Sequence, residues 1–314
     1  FFQNSDKREI YEYCFNLIWE ACSNMEKYVQ YGFTTSQRHL LFGTNDWNEL
    51  VVESFEELVT KISYDLDKSP AIPDSQKESI LQDIDQIILS PTIEVKRGNN
   101  DDQPDRFNSV VNFQNFILHV LKIQTDREDI SLNDKDLLDV FDLCIPVDST
   151  DKEAFAKEYI YNLLKCKFLF DKYIIKREFI ANTDRWALKS LKWYSSGSVK
   201  NGVKYVNTFG DEQNETFDNE NRRILMLLSM FHVSIPSMSY KYWLFASLRY
   251  VYHQTEVDSD KYIFYLEHIA KSFVFDNYLA NEEQGYYSMI NVNLKPIVRT
   301  TEQLNLEKLR YNNL

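Results

Sequence analysis

Apolar residues recur at helical spacing along most of this chain. The first stripe lies between Ser5 and Tyr31, and it predicts a long helix ended by Gly32, because residues three and four positions apart share one helix face. The apolar members of this stripe are Ile10, Cys14, Leu17, Ile18, Ala21, Met25 and Val29.

The next segments are also predicted to be helical. A short helix over SQRHLLFG is followed by a second long helix, which Asn45 or Asp46 is expected to cap. After two prolines, a smaller helix is predicted from Ser75 to Leu89. The inward face of the second long helix would carry Trp47, Leu50, Val51, Phe55, Leu58, Ile62 and Leu66.

The segment IEVKRGNNDDQPD has the glycine, asparagine and proline residues of an exposed loop. The predicted organisation is therefore an N-terminal helical subdomain (1–90), a loop (91–105) and a main helical domain (106–314). A single continuous domain is the alternative.

Helices are expected to resume near Asn108, and Asn133 is expected to cap one that runs to Leu143. Thr150 and Glu153 fit a capping box, which predicts the start of the longest helix, ending near Glu178. Apolar residues surround most of that helix and leave one lysine stripe, which is expected to reach solvent past packed neighbours. The stripe consists of Lys165, Lys172 and Lys176, and further helices are predicted at 219–232, 239–254, 259–279 and 301–314.

A β-hairpin is the one strand prediction. RWALKSLKWY and VKYVNTF flank a polar segment, and Asn201 with Gly202 is a candidate for its tight turn. The predicted fold class is therefore all-α, a bundle of long helices with one small hairpin insert at 185–209.

Composition narrows the function classes. Only 7 of 314 residues are glycine, and no glycine cluster has the spacing of a phosphate-binding loop or a nucleophile elbow. The longest apolar run is shorter than the roughly 20 residues that a membrane span needs. Four cysteines without Cys-x-x-Cys spacing are expected to be reduced core residues, which favours a cytoplasmic location.

Charge is unevenly distributed along the chain. The overall net charge is −13, yet the segment from Leu164 to Lys204 carries ten basic and three acidic residues, a local net charge of +7. Cations beside aromatic rings are typical of nucleic-acid-binding surfaces, but this face could instead pair with the chain's own acidic residues, such as 211–220. The candidate DNA-binding residues are Arg185, Lys189, Lys192, Trp193, Lys200 and Lys204.

No catalytic or metal site is predicted. The five histidines are scattered singly, without the i, i+3 or i+4 spacing of helical metal ligands. Glu267 and His268 lie within a helical pattern, so His268 is interpreted as an ordinary helix residue rather than part of a nuclease motif. No cofactor is expected for this segment.

Several longer runs carry a family resemblance and together cover about half of the chain: CFNLIWEACSNMEKYVQYGF, SQRHLLFG, LLKCKFLFDKYIIKREF, WALKSLKW, YVNTFG and NRRILMLLSMFHVSIPSMSYKYWL. They resemble the modification-dependent (type IV) restriction endonucleases of the GmrSD kind, which act in bacterial phage defence. Members of that family join an N-terminal Asp-Gly-Gln-Gln-Arg domain to a C-terminal His-Asn-His-type nuclease through a helical region. The resemblance implies that this chain is that helical region, cut from a longer protein, with neither catalytic motif.

Two functions follow as hypotheses. The first is a connecting module that positions the nucleotide-hydrolysing and nuclease domains of such an enzyme and contacts DNA through the basic insert. The second is a helical protein-interaction or oligomerisation scaffold that binds no nucleic acid.

Overall fold

The computed structural model describes residues 1–2, 5–68, 106–180, 183–196, 199–210, 219–234, 237, 241–282, 285, 290 and 300–309. The α-helices in this part of the chain are α1 (Arg8–Ser23), α2 (Thr35–Phe42), α3 (Phe55–Lys68), α4 (Phe113–Thr125), α5 (Leu137–Cys144), α6 (Ser149–Tyr173), α7 (Glu220–Ser234), α8 (Tyr242–Tyr252) and α9 (Ser259–Ser272). A π-helical turn (Phe273–Tyr278) extends α9. Shorter 3₁₀ turns lie at Val29–Gly32, Asp134–Asp136, Thr301–Gln303 and Leu306–Leu309.

Two small antiparallel sheets accompany the helices. The first contains β1 (Phe107–Ser109), β2 (Lys176–Ile180) and β3 (Thr183–Ala187) in that order. The second is a hairpin of β4 (Lys189–Ser196) and β5 (Val199–Asn207). The fold is thus mostly helical, as predicted, but it contains a three-stranded sheet that the all-α prediction lacks.

Helix α6 forms the centre of the core. It packs against α1, α3, α4, α8 and strand β4. Leu163, Leu164 and Phe170 on this helix are fully buried, because apolar residues cover almost its whole circumference. Asp148 caps its first turn by accepting a hydrogen bond from the Thr150 N–H, so the cap lies two residues before the predicted one.

Two helix predictions in the N-terminal part are wrong at their boundaries. Helix α1 ends at Ser23, and the chain then passes through an extended residue, Asn24, before the 3₁₀ turn at Val29. The second long helix begins only at Phe55, because Trp47 has a left-handed backbone (φ 57°) that a continuous helix cannot contain.

The longest helix also ends earlier than predicted. It stops at Tyr173, and Lys176 to Ile180 form strand β2, in which Lys176 pairs with Ser109 of β1. The predicted turn at Asn201 and Gly202 is wrong as well, since Gly202 lies inside β5 opposite Tyr194.

The remaining predictions agree with the structure in part. Helices α7, α8 and α9 lie within a few residues of the predicted ranges, whereas 301–309 forms two 3₁₀ turns instead of a helix. The predicted helix at 75–89 and the loop at 91–105 lie outside the described residues, so the division into subdomains stays a prediction. Among the described helices, none is both long and apolar enough to cross a membrane.

Candidate nucleic-acid interface

The β4–β5 hairpin carries most of the predicted DNA-binding residues, and strand alternation divides them between two faces. Lys189 and Trp193 lie on one face of β4, whereas Lys192 lies on the other, with Lys204 of β5 directly opposite it. The six candidate residues therefore do not form one continuous surface. Lys200 is on β5, but its side chain is not among those described.

Trp193 is half-buried and packs against the core. Its ring stacks on Trp47 with centroids 5.5 Å apart, and its backbone N–H donates to the Asp46 carbonyl oxygen over 2.8 Å. The His39 ring meets it edge-on at 4.9 Å and accepts a hydrogen bond from the Trp47 indole N–H. Because these contacts occupy the ring, Trp193 anchors the hairpin instead of offering a free stacking surface.

Arg185 and Lys189 converge on Glu178, a carboxylate whose side chain is fully buried. Arg185 Nη2 lies 3.0 Å from Glu178 Oε2, and Lys189 Nζ lies 3.4 Å from Oε1. A third cation, Arg106, donates to the same Oε1 from Nη2 at 2.5 Å. Sequence reasoning missed Arg106, because its pairing with Glu178 spans 72 residues and leaves no local signal.

Opposing effects act on the Glu178 carboxyl. Burial alone raises its pKa, but hydrogen bonds from Arg106 and Arg185 and the charge of Lys189 outweigh the burial and lower that pKa overall. Glu178 therefore stays ionised, and its three basic partners link β2 to β3, to β4 and to the residue before β1.

Lys192 and Lys204 form the second basic pair. They are directly opposite each other across the hairpin, and Lys204 Nζ lies 4.6 Å from the centre of the Tyr194 ring. Lys192 is 41% exposed, and its one ion-pair partner among the described residues is Asp46 at 3.6 Å. Both side chains of this pair are accessible to solvent.

The basic face thus pairs partly with the chain's own acids, one of the two alternatives that the sequence left open. The acids that it meets in the described residues are Glu178, Asp46 and Asp184, the last in an exposed ion pair with Arg177. Most of the predicted acidic partner at 211–220, namely residues 211–218, lies outside the described residues.

A buried ion cluster lies beneath the sheets. The Asp171 carboxylate contacts Lys167 Nζ at 2.7 Å and Lys176 Nζ at 3.0 Å, and it accepts the Val29 N–H over 2.7 Å. All three charged side chains are at most 2% exposed. The prediction that Lys176 reaches solvent is wrong, because its side chain is buried and its Nζ lies 4.3 Å from the centre of the Tyr28 ring.

The other two lysines of the predicted stripe are also partly withdrawn from solvent. Lys172 donates to the Asn48 carbonyl oxygen, and burial, aided by the nearby charge of Lys192, lowers its pKa to about 8. Lys165 lies 4.0 Å above the Tyr252 ring. Neither residue adds to the exposed basic surface of the hairpin.

Two histidines lie near a buried lysine. His119 on α4 is fully buried, and neither ring nitrogen has a hydrogen-bond partner among the described residues, so burial lowers its pKa to about 3. His232 Nδ1 lies 3.1 Å from Lys241 Nζ, and burial lowers the lysine pKa to about 8. Within the described ranges, no group of three or more histidine, cysteine or acidic side chains could hold a metal ion.

The four cysteines are free thiols, and three of them are buried. Burial raises the pKa of Cys14 and Cys166 to about 12, so neither is ionised at neutral pH.

Comparisons of the chain with protein-family models, with curated proteins and with solved structures find no match in any of the three.

Proposed function

We propose that this chain is the helical connecting module of a GmrSD-like DNA endonuclease and that it contacts the DNA backbone through the exposed Lys192–Lys204 pair. The observation that carries the DNA contact is the placement of two lysines directly opposite each other on an accessible hairpin face. The identity of the flanking domains, one hydrolysing a nucleotide and one cutting DNA, rests on the family resemblance.

Like charges directly opposite each other on a sheet destabilise it. Asp46 offsets one of the two positive charges, which leaves this face of the hairpin with an excess of positive charge. A DNA phosphate would remove the repulsion, and counterion release would add to the affinity. Tyr194, beside Lys204, would offer an aromatic surface to an unpaired base.

The hairpin is also firmly joined to the helical body. The Tyr28 hydroxyl donates to the Lys189 carbonyl oxygen over 2.6 Å, and the Asn221 side chain donates to the Leu188 carbonyl oxygen over 3.2 Å. Together with the Trp193–Trp47 stack, these bonds tie the hairpin to helix α7 and to the non-helical segments at Tyr28 and Trp47. Such rigidity suits a module that transmits DNA position between two flanking domains.

Charge reversal at both lysines is the test. We expect Lys192→Glu with Lys204→Glu to weaken binding of a labelled DNA duplex by at least about tenfold and to lower its log-log salt slope by about 2, one unit per lost phosphate contact. Fluorescence anisotropy over a salt series would measure both quantities. The matched control is Lys135→Glu with Lys261→Glu, since both lysines are exposed and lie on other elements.

The scaffold hypothesis predicts that the chain binds a protein partner and no DNA. Met226, Met230 and Val233 form an exposed apolar stripe on α7, which favours a protein partner at that helix. If the folded wild-type chain binds no DNA but light scattering shows a mass that rises with protein concentration, the scaffold function replaces the DNA-binding one. Equal DNA binding by the double variant and its control would also reject the proposed contact.

A further inference from the structure

We propose that Arg106, Arg185 and Lys189 form a binding site for a phosphate group, with Glu178 as the buried residue that orients them. This site would be additional to the Lys192–Lys204 surface and does not depend on it. The ligand chemistry is a phosphate that belongs either to a nucleic-acid strand or to a free nucleotide.

The cluster at this position has an excess of positive charge. Three cations surround one carboxylate, so the cluster has a net charge of +2. One cation would suffice to neutralise Glu178, and the three cations repel one another because each lies within 3.4 Å of the same carboxylate. An anion bound on their outer side would relieve this repulsion.

The two arginine side chains of the cluster are accessible to a ligand. The side chains of Arg106 and Arg185 are 36% and 53% exposed, whereas Glu178 beneath them is fully buried. Each guanidinium meets Glu178 through Nε and Nη2, which leaves part of its five N–H donors for another acceptor. The remaining N–H donors of the two guanidinium groups, together with the nearby Lys189 ammonium group, can form hydrogen bonds with the oxygens of a phosphate.

The cluster is also fixed before any ligand binds. The Arg106 guanidinium lies 4.7 Å above the Tyr205 ring, and the Phe179 N–H donates to the Arg106 carbonyl oxygen over 2.8 Å. Arg185 is held opposite Glu178 by the β2–β3 register. Preorganised donors lose less conformational entropy on binding, so the arrangement favours an anion at low cost.

The site is separate from the DNA surface proposed above. Lys189 and Lys192 are three positions apart on β4 and therefore point to opposite faces of the hairpin. Variants of one surface thus leave the other intact, and the two proposals can fail independently.

Calorimetric titration with inorganic pyrophosphate tests the site. We expect the wild-type chain to bind pyrophosphate and Arg185→Gln to weaken that binding by about tenfold, because a hydrogen bond to a charged group is lost. Arg185 is more than half exposed, so this variant is expected to fold, and Arg106→Gln provides a second test at a residue directly before β1. The matched control is Arg127→Gln, since Arg127 pairs one-to-one with Asp129 in an exposed position.

Two competition arms distinguish the sources of the phosphate. Displacement of pyrophosphate by an oligonucleotide identifies a nucleic-acid strand, and displacement by a nucleoside triphosphate alone identifies a free nucleotide. Pyrophosphate binding that survives Lys192→Glu with Lys204→Glu supports this site even where DNA binding is lost. No binding by the wild-type chain, or equal binding by the Arg185→Gln and Arg127→Gln variants, overturns the proposal.

Discussion

Asp171→Asn is expected to lower the free energy of unfolding by about 3–5 kcal/mol, the usual cost of leaving buried charges without a counter-ion. Lys167 and Lys176 both rely on this carboxylate, and neither side chain is more than 2% exposed. The new amide would also replace one carboxylate oxygen with an NH₂ donor, which would face Lys167 and either Lys176 or the Val29 N–H. Urea denaturation at neutral pH would measure the loss.

Asp184→Asn is the matched control, because Asp184 forms its ion pair with Arg177 at the surface, where both side chains are more than one-third exposed. That substitution should cost less than about 1 kcal/mol. Lys176→Met should also be mild, since it removes the one unmatched positive charge of the buried cluster and leaves the Lys167–Asp171 pair. A loss below about 1 kcal/mol for Asp171→Asn would contradict the role of this carboxylate.

The residues around this cluster show which part of the fold the sequence predicted and which part it did not. The apolar periodicity of α6 correctly indicated a central helix, because burial on several sides leaves a clear pattern along the sequence. It did not reveal the end of that helix at Tyr173. Residues from Ile174 onward have side chains suited to helix or strand, and pairing of Lys176 with the distant Ser109 selects the strand.

The candidate site shows a related limit. Composition located the basic segment, and the hairpin itself was predicted, but strand register decides which lysines share a face. Lys189 and Lys192 appear as neighbours in the sequence yet belong to different clusters, one at Glu178 and one at Asp46. Arg106 joins the first cluster across 72 residues, and no local pattern encodes such a contact.

Replacing the buried, neutral His119 should have the second large effect on stability, and this substitution should stabilise the protein. His119→Leu is expected to raise the free energy of unfolding by about 1–3 kcal/mol at pH 7, because two buried ring nitrogens that have no hydrogen-bond partner in the described part of the chain are replaced by an apolar group of similar size. The site is apolar enough to accept leucine, since Phe116, Val120 and Ile123 on the same helix are also buried.

The gain should grow in acid, and the sign follows from the pKa of His119. Burial lowers that pKa from 6.5 in the unfolded chain to about 3 in the folded protein, so the unfolded state binds more protons between these values. The free energy of unfolding is therefore highest above pH 6.5 and decreases as the pH falls. At pH 5 this histidine alone should cost about 2 kcal/mol, which the leucine variant would not lose.

Denaturation of both proteins at pH 7 and pH 5 measures this difference. His39→Leu is the matched control, because His39 accepts the Trp47 indole N–H and its removal leaves that buried donor without its partner. The control should therefore destabilise the protein by about 1–2 kcal/mol, opposite in sign to His119→Leu. If His119→Leu instead destabilises the protein equally at both pH values, the imidazole makes a favourable contact that burial alone does not explain.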